Sequence, residues 1–503
     1  MSGLPHPPAR RPNIIVILAD DMGFSDLGCY GSEIMTPNID RLASRGMRFS
    51  QAYNMARCCP TRAALLTGLY PHQAGVGWMV GEENLPAYRG FLGESCVTVA
   101  EVLRAAGYTT LMSGKWHVGE KRPHWPCDRG FDEYFGLISG ASSYWALSDG
   151  RVMARNNEPY TPEPGAFYMT DAFTDNAIEL IGRHAPKPKP FFLYLAYTAP
   201  HWPLHAWEDD IRKYREIYTK GWDDIRAQRH KRMRDIGLVS AGWPLPPRSG
   251  AAWADAEHKD ELALRMAVYA AQIDRMDQNI GRVMAKLEQT GQADNTLVLF
   301  LADNGGCAEK VERGKPGAPT GTPDSFCSYG QPWANVSNTP LRRFKRDTEE
   351  GGISTPLIAY WPGVVAAGGA WCTEITHVID IMPTCADVAG ATYPAERNGN
   401  AITPCEGLSL LPVLRGGTRA GHPALCWEHE DNRAVRQGPW KIVGKAGDPG
   451  EPWELYNIDD DRTELNNLAA SEPARMETMT AIYDEWAARC NVAPLYQRRK
   501  KTA

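Results

Sequence analysis

Five short apolar runs punctuate the chain, at residues 14–19, 109–112, 191–197, 297–302 and 356–360. Their length and their β-branched and aromatic content predict buried strands. A second period appears at Met266, Tyr269, Ile273, Met276, Ile280, Val283 and Leu287. Gaps alternating between three and four residues line one face of a helix, which Gly291 is suited to end. The run at 297–302 follows at once. Helix alternating with strand in this way predicts an α/β fold, with a large mainly parallel or mixed sheet sandwiched by helices. The texture changes late in the chain. Residues 424–428, 433–436 and 440–443 read as short antiparallel strands, 453–457 follows, and a helix spans 473–490. This divides the chain into a large α/β domain over 1–415 and a smaller α+β subdomain over 416–503. Residues 207–259, charged and aromatic, read as an excursion from the core that shapes a pocket or an oligomer contact.

Polar residues gather just after the strands. Asp20 and Asp21 follow the first run, Lys115 and His117 the second, His201 the third, and Asp303 and Asn304 the fourth. Open α/β sheets bind ligands outside the carboxyl ends of their strands, so four strands deliver ionisable groups to one edge. Three carboxylates and an amide suit a hard divalent cation better than zinc.

The segment Cys58-Cys59-Pro60-Thr61-Arg62-Ala63-Ala64-Leu65-Leu66-Thr67-Gly68 sharpens this picture. Pro60 suits the first position of a helix, where a backbone N–H has no partner anyway. The free N–H groups and positive dipole end of that helix then face whatever sits beside Cys58. Arg62 adds a planar cation able to hold two oxygens of a tetrahedral anion. A nucleophile, an anion cradle and a guanidinium together point to sulfate or phosphate esters.

This segment resembles the signature of the type I sulfatases, Cys-x-Pro-x-Arg on a short helix ending in Leu-Thr-Gly. Gly114-Lys115-Trp116-His117-Val118-Gly119 resembles the family's Gly-Lys-Trp-His-x-Gly, and the likeness runs along most of the chain, nearest to the bacterial arylsulfatases. The resemblance implies an alkaline phosphatase-like fold and sulfate-ester hydrolysis. It implies that a formylglycine-generating enzyme oxidises Cys58 to formylglycine, whose hydrate attacks sulfur with one hydroxyl and expels sulfate with the other. It implies Asp20, Asp21, Asp303 and Asn304, with residue 58, as ligands of one Ca2+, ahead of Mg2+ or Mn2+. Arg62 would orient the hydrate, Lys115 contact a sulfate oxygen, and His117 take the hydroxyl proton. His201, in a Pro-His segment, and Lys345, five residues before Glu350-Gly351-Gly352, would face the leaving group. His205 competes with His201, and Arg342, Arg343 and Arg346 crowd Lys345. Thr61 stands where the family often has serine. Relatives acting on phosphonates or phosphate diesters, and some sulfatases, tend to carry histidine at the position of Asn304, so asparagine favours a calcium-type sulfatase site over a manganese-type one and argues for sulfate over that alternative. A scaffold protein with a dead site would have lost some of Cys58, Arg62, Lys115, His117 or His201, and all are present.

Composition narrows the partners. The 503 residues carry 54 basic and 60 acidic side chains, a net charge of −6, and no basic cluster interleaved with aromatics, which gives no reason to expect nucleic acid. Twelve scattered cysteines, with neither a Cys-x-x-Cys pair nor zinc-finger spacing, read as mostly free thiols of a reducing compartment. The polar start at 1–12 and the short run at 14–19 make no signal peptide, and no stretch approaches a membrane span. The expectation is a cytoplasmic protein acting on a small-molecule or glycan sulfate ester, with no membrane partner. Residues 498–501 form a basic tail, expected to be disordered. Tyr144, Trp145, Trp202 and Trp207 are candidates either for stacking on a substrate ring or for core packing.

Overall fold

The computed structural model describes residues 11–81, 84–163, 165–365, 368–446 and 452–495. The tail at 498–501 and most of the polar start therefore lie outside the described residues.

Eleven strands form the main sheet: β1 Asn13–Asp20, β2 Met47–Tyr53, β3 Thr109–Gly114, β4 Glu133–Leu137, β5 Met153–Arg155, β6 Glu158–Tyr160, β7 Phe191–Pro200, β8 Thr296–Ala302, β9 Ser354–Tyr360, β10 Trp371–Cys372 and β11 Thr376–His377. Their order is β10-β2-β9-β8-β1-β7-β3-β4-β5-β6, with β11 also on β2. The centre, β8-β1-β7-β3-β4, is parallel. The flanks join through antiparallel β9, β2, β5 and β6. The sheet is therefore mixed, with a parallel heart.

Alternation along β1 shows how two cores arise from one strand. Ile14, Val16 and Leu18 point into one hydrophobic cluster, and Ile15, Ile17 and Ala19 into the other. A strand buried on both faces needs an unbroken apolar run, which is what residues 14–19 supply. The second cluster is roofed by the Lys259–Gln289 helix, whose Met266, Tyr269, Ile273, Met276, Ile280, Val283 and Leu287 are all buried. That helix stops at Gln289, and Gly291 adopts the left-handed conformation just beyond it.

All five predicted runs are strands, each extended by one or more residues except at matching ends. The apolar pattern did not announce β2, Met-Arg-Phe-Ser-Gln-Ala-Tyr, because polar residues interrupt it. Nor did it announce β5 and β6, which are three residues each and edge the sheet.

Beyond a two-residue hairpin of β12 Glu396–Arg397 and β13 Asn400–Ala401, four antiparallel strands follow: β14 Leu425–His429, β15 Asn432–Gln437, β16 Trp440–Gly444 and β17 Glu454–Asn457. The Pro473–Cys490 helix packs on them through Met479, Tyr483 and Trp486. Leu425, Trp427, Val435 and Leu455 belong to the same hydrophobic cluster as Leu65 and Leu66 of the Cys58–Thr67 helix, so one core runs through both parts of the chain.

Residues 207–259 do not stand away from the body. The Trp222–Asp235 helix sends Arg229, fully buried, to Asp26 at 2.6 Å and Glu33 at 2.7 Å. Trp222, Trp253 and Trp333 pack edge to face beside it. All twelve cysteines are free. Among the described residues, no helix is long and apolar enough to cross a membrane.

Candidate active site

The site forms past the carboxyl ends of β1, β3, β7 and β8. β1 ends at Asp20, and the turn beyond it puts Asp21 in the left-handed region, φ 63°. His117, past β3, has φ 56°. Non-glycine residues held there carry backbone strain that the surrounding structure must maintain. Two glycines permit the close packing: a Cβ on Gly140 would lie 2.3 Å from His117 Nε2, and one on Gly305 1.8 Å from the Gly351 carbonyl.

The Cys58–Thr67 helix begins at Cys58 itself. Pro60 is therefore its third residue, not its first. The correction leaves the reason for Pro60 intact, since none of the first four N–H groups has an intrahelical partner. Gly68 ends the helix in the left-handed conformation. Thr61 Oγ1 accepts from the Met55 backbone N–H at 2.9 Å, tying the approach loop to the helix. The carbonyl of Asn54 accepts from Trp427 Nε1 at 2.7 Å, so β14 braces the same loop.

Arg62 is completely buried. Its Nε and Nη2 donate to Asp303 Oδ2 at 3.2 and 2.8 Å, and Nη1 to the Lys115 carbonyl at 2.9 Å. Lys115 Nζ donates to Asp20 Oδ2. Lys345 Nζ lies 2.7 Å from Asp21 Oδ1, and Asn304 Nδ2 donates to the same oxygen at 2.7 Å. His201 Nδ1 donates to the Trp202 carbonyl at 2.6 Å, which directs Nε2 to within 3.4 Å of Asp21 Oδ2. His117 Nε2 lies 3.3 Å from Cys59 Sγ, and Cys58, Cys59 and His117 cluster together.

These contacts shape the charges. Burial alone would raise the Asp20 carboxyl, but Lys115, His201 and Arg62 together hold it at about 2. Asp303 goes the other way: burial and the adjacent Asp20 charge push it up against the pull of Arg62. A hydrogen bond from Cys59, with Lys115 and His117 nearby, holds the Cys58 thiol well below its ordinary range. Burial pulls His117 down to about 4.

Two oxygens stand out: Asp20 Oδ1 and Asn304 Oδ1 are buried and accept no hydrogen bond. Unpartnered buried acceptors are costly unless something else completes them. A hard cation with oxygen ligands fits both, and Asp20, Asp21 and His201 present ligand atoms within 4.8 Å of one another. Asp303 is already engaged by Arg62 and by the Asp21 N–H, so its place in such a set is the most contested.

Competing candidates separate. His205 is buried with Nε2 on the Ser325 carbonyl at 2.7 Å, a structural contact away from the carboxylates. Arg342 turns to Glu454 and Tyr456, Arg343 to Glu349 and Arg346 to Glu430, leaving only Lys345 on Asp21. Of the four aromatic candidates, Trp202 packs on the His201 ring, 4.5 Å between centroids. Tyr144 is buried and donates to the carbonyls of Thr198 and His201. Trp145 and Trp207 pack on each other and on Tyr168.

Residues without a motif also border the site. Arg57 lies 3.6 Å from Glu309 and 3.7 Å from Glu430. Trp202 Nε1 donates to Glu309 and Trp78 Nε1 to Glu430. His429 is fully buried there with neither ring nitrogen hydrogen-bonded. Arg57 was findable by its place beside Cys58. His429 and Glu430 come from a distant strand end and carry no local signal.

A mixed sheet with a parallel heart, helices on its faces, and an ionised cluster at its carboxyl edge is the alkaline phosphatase-like architecture. The chain belongs to the sulfatase family: the model of that family, Sulfatase, matches residues 12–391. An arylsulfatase of Klebsiella aerogenes is 36% identical, over 80% of this chain and 92% of its own. An uncharacterized sulfatase of Schizosaccharomyces pombe is 34% identical, over 95% of this chain and 93% of its own. The crystal structure of Ps i-CgsB in complex with k-i-k-neocarrahexaose superposes with a TM-score of 0.71 at 27% identity, covering 95% of this chain and 93% of that one. The protein is thus a sulfuric ester hydrolase.

Proposed function

We propose that this sulfatase works through a formylglycine made from Cys58, with Ca2+ held by Asp20, Asp21, Asp303 and Asn304. The observation that carries the reading is the pair of buried, unpartnered oxygens, Asp20 Oδ1 and Asn304 Oδ1, beside the helix that starts at Cys58. When bound, the cation would supply Lewis-acid polarisation of a sulfate oxygen and of the hydroxyl on residue 58.

The chain's own side chains do the rest. Arg62, fixed on Asp303 and the Lys115 carbonyl, holds the first turn of the helix against the carboxylates. Lys115 stands over Asp20, placed to take a sulfate oxygen as well. Burial keeps His117 neutral at pH 7, so its ring can accept a proton from the hydroxyl of residue 58 as sulfate leaves. His201 and Lys345, both on Asp21, face the opposite side and stabilise the departing oxygen.

The substrate in this reading is a sulfated carbohydrate. The complex of Ps i-CgsB with k-i-k-neocarrahexaose supports it. So does the border of Arg57, Glu309, Glu430 and Trp202, whose alternating charges and ring suit hydroxyls and a sugar face. Residues 416–503 act here as a subdomain that closes this border through His429 and Glu430.

The test is peptide mass spectrometry across Cys58 after co-expression with a formylglycine-generating enzyme, alongside sulfate release with added calcium. Conversion of Cys58, with turnover lost in Cys58→Ala by a thousandfold or more, is expected. Full conversion with cleavage of phosphonates or phosphate diesters and no sulfate release overturns the reading.

A further inference from the structure

Next to the oxygen cluster lies a second donor set of different chemistry. Cys58, Cys59 and His117 each present a ligand atom within 4.8 Å of the other two, and all three are buried, at 2, 0 and 4 % exposure. Cys59 Sγ already approaches His117 Nε2 to 3.3 Å. Nothing in the proposed reaction uses Cys59.

We propose that the unconverted chain binds zinc at Cys58, Cys59 and His117. Thiolate and imidazole are the donors that zinc prefers, whereas the carboxylates and amide next door suit a hard cation. Two thiolates, one neutral imidazole and Zn2+ sum to zero charge. A buried site can hold that combination without stranding a net charge in the protein interior. Binding releases to solvent whichever thiol protons remain, that of Cys59 among them, and breaks no other covalent bond. Three protein ligands leave the fourth tetrahedral position to water.

Zinc on Cys58 withholds the thiol that oxidation to formylglycine requires. Conversion in turn removes one of the two thiolates. Zinc binding and maturation therefore oppose each other. The zinc site itself does not rest on conversion of Cys58; only this consequence does.

The experiment uses the full chain made without a formylglycine-generating enzyme, with intact Cys58 verified by mass. Excess calcium is added to fill the oxygen donors, and cobalt(II) serves as the spectroscopic substitute for zinc. One equivalent of cobalt is expected to give thiolate-to-metal charge-transfer absorption, which zinc then displaces. Cys59→Ser is expected to weaken binding at least tenfold, since even the loss of a hydrogen-bond partner of a metal ligand costs about 10–100-fold. The converted chain, a folded form lacking the Cys58 thiol, is expected to be weakened as much, which keeps the test decisive even where Cys59→Ser folds poorly. Cobalt binding without thiolate absorption overturns the proposal. So does equal affinity in wild type, Cys59→Ser and the converted chain. Neither outcome touches the sulfatase reading, which sulfate release tests separately.

Discussion

Two buried clusters of charge sit in this molecule, built from the same residue types and finished differently. One is the site at the carboxyl edge of the sheet, with Asp20, Asp21 and Asp303 against Arg62, Lys115 and Lys345. The other lies where the four-stranded sheet meets β2 and β9. There Lys441 Nζ donates to Glu350 Oε1 at 3.0 Å and to Glu464 Oε1 at 2.9 Å. Arg462, Tyr53 and Ser354 all donate to Glu350 Oε2, and the Glu350 N–H donates to Glu464 Oε2. Every carboxylate oxygen of this second cluster has a donor. In the first, Asp20 Oδ1 and Asn304 Oδ1 have none. Both clusters bear the cost of desolvating ions. One uses them to lock a seam, and the other leaves two acceptor oxygens open, as the proposed cation site requires.

The largest expected effect tests the open cluster. Asp20→Asn removes the charge that would draw the cation while keeping the side-chain shape. It should lower sulfate release about a hundredfold or more, the scale of a lost Lewis acid. It should also abolish the stabilisation that calcium gives the wild type, about 2.7 kcal/mol at a hundredfold excess over Kd. Calorimetry with and without a chelator reads this directly. If calcium stabilises wild type and variant alike, the unpartnered oxygens are not its site.

The closed cluster should answer in stability and not in turnover. Lys441→Met leaves Glu350 and Glu464 buried together without their shared cation. Breaking such a pair costs about 3–5 kcal/mol. Denaturant unfolding should show the loss, while turnover per folded molecule stays near wild type. A large activity loss at unchanged stability would dissolve the distinction between the two clusters.

The same cluster makes a pH prediction of smaller size. Burial opposes the ionisation of Glu350, but Lys441, Arg462 and Arg436 hold it at about 2 against an ordinary 4.5. A depressed carboxyl stabilises the fold above the unfolded value, and that stability is lost as pH falls from about 4.5 toward 2. Burial raises Glu464 to about 7, with Lys441 pulling the other way and Glu350 adding to the rise. The native state then holds a proton that the unfolded state releases, so this group's contribution falls as pH climbs from about 4.5 to 7. Glu464→Gln should flatten that descending arm in urea unfolding across the range, and leave the acid arm in place. An unchanged descending arm in the variant assigns it to other groups.

Much of this was legible before the structure, for reasons particular residues make plain. Residues 14–19 read as a buried strand, and a strand ending in Asp20-Asp21 delivers its charges to one edge. The Cys58–Gly68 segment announced a helix start, an anion cradle and a cation within eleven residues. Local chemistry was readable wherever neighbours in sequence are neighbours in space. The seam was not readable, because Glu350, Lys441 and Arg462 meet only through the docking of β16 and the loop after β17 on β9. Nor were His429 and Glu430, which reach the site from the end of β14. The three residues of β5 and of β6 are too few for any period to show.

The smallest effect probes how the open cluster is held. Thr61 differs from the serine often found in this motif, and its hydroxyl accepts from the Met55 N–H at 2.9 Å in full burial. Thr61→Ser keeps the oxygen and drops a methyl. Thr61→Val keeps the shape and leaves a buried N–H unsatisfied, at a cost of about 1–3 kcal/mol. Stability should therefore fall in the valine variant and stay near wild type in the serine one. The loop at 54–57 carries Arg57 and leads into Cys58, so loosening it should also slow turnover more in valine than in serine. Equal stability of the two variants would mean that Trp427 on the Asn54 carbonyl suffices to hold the loop. The closed half of the molecule would then be positioning the open one by itself.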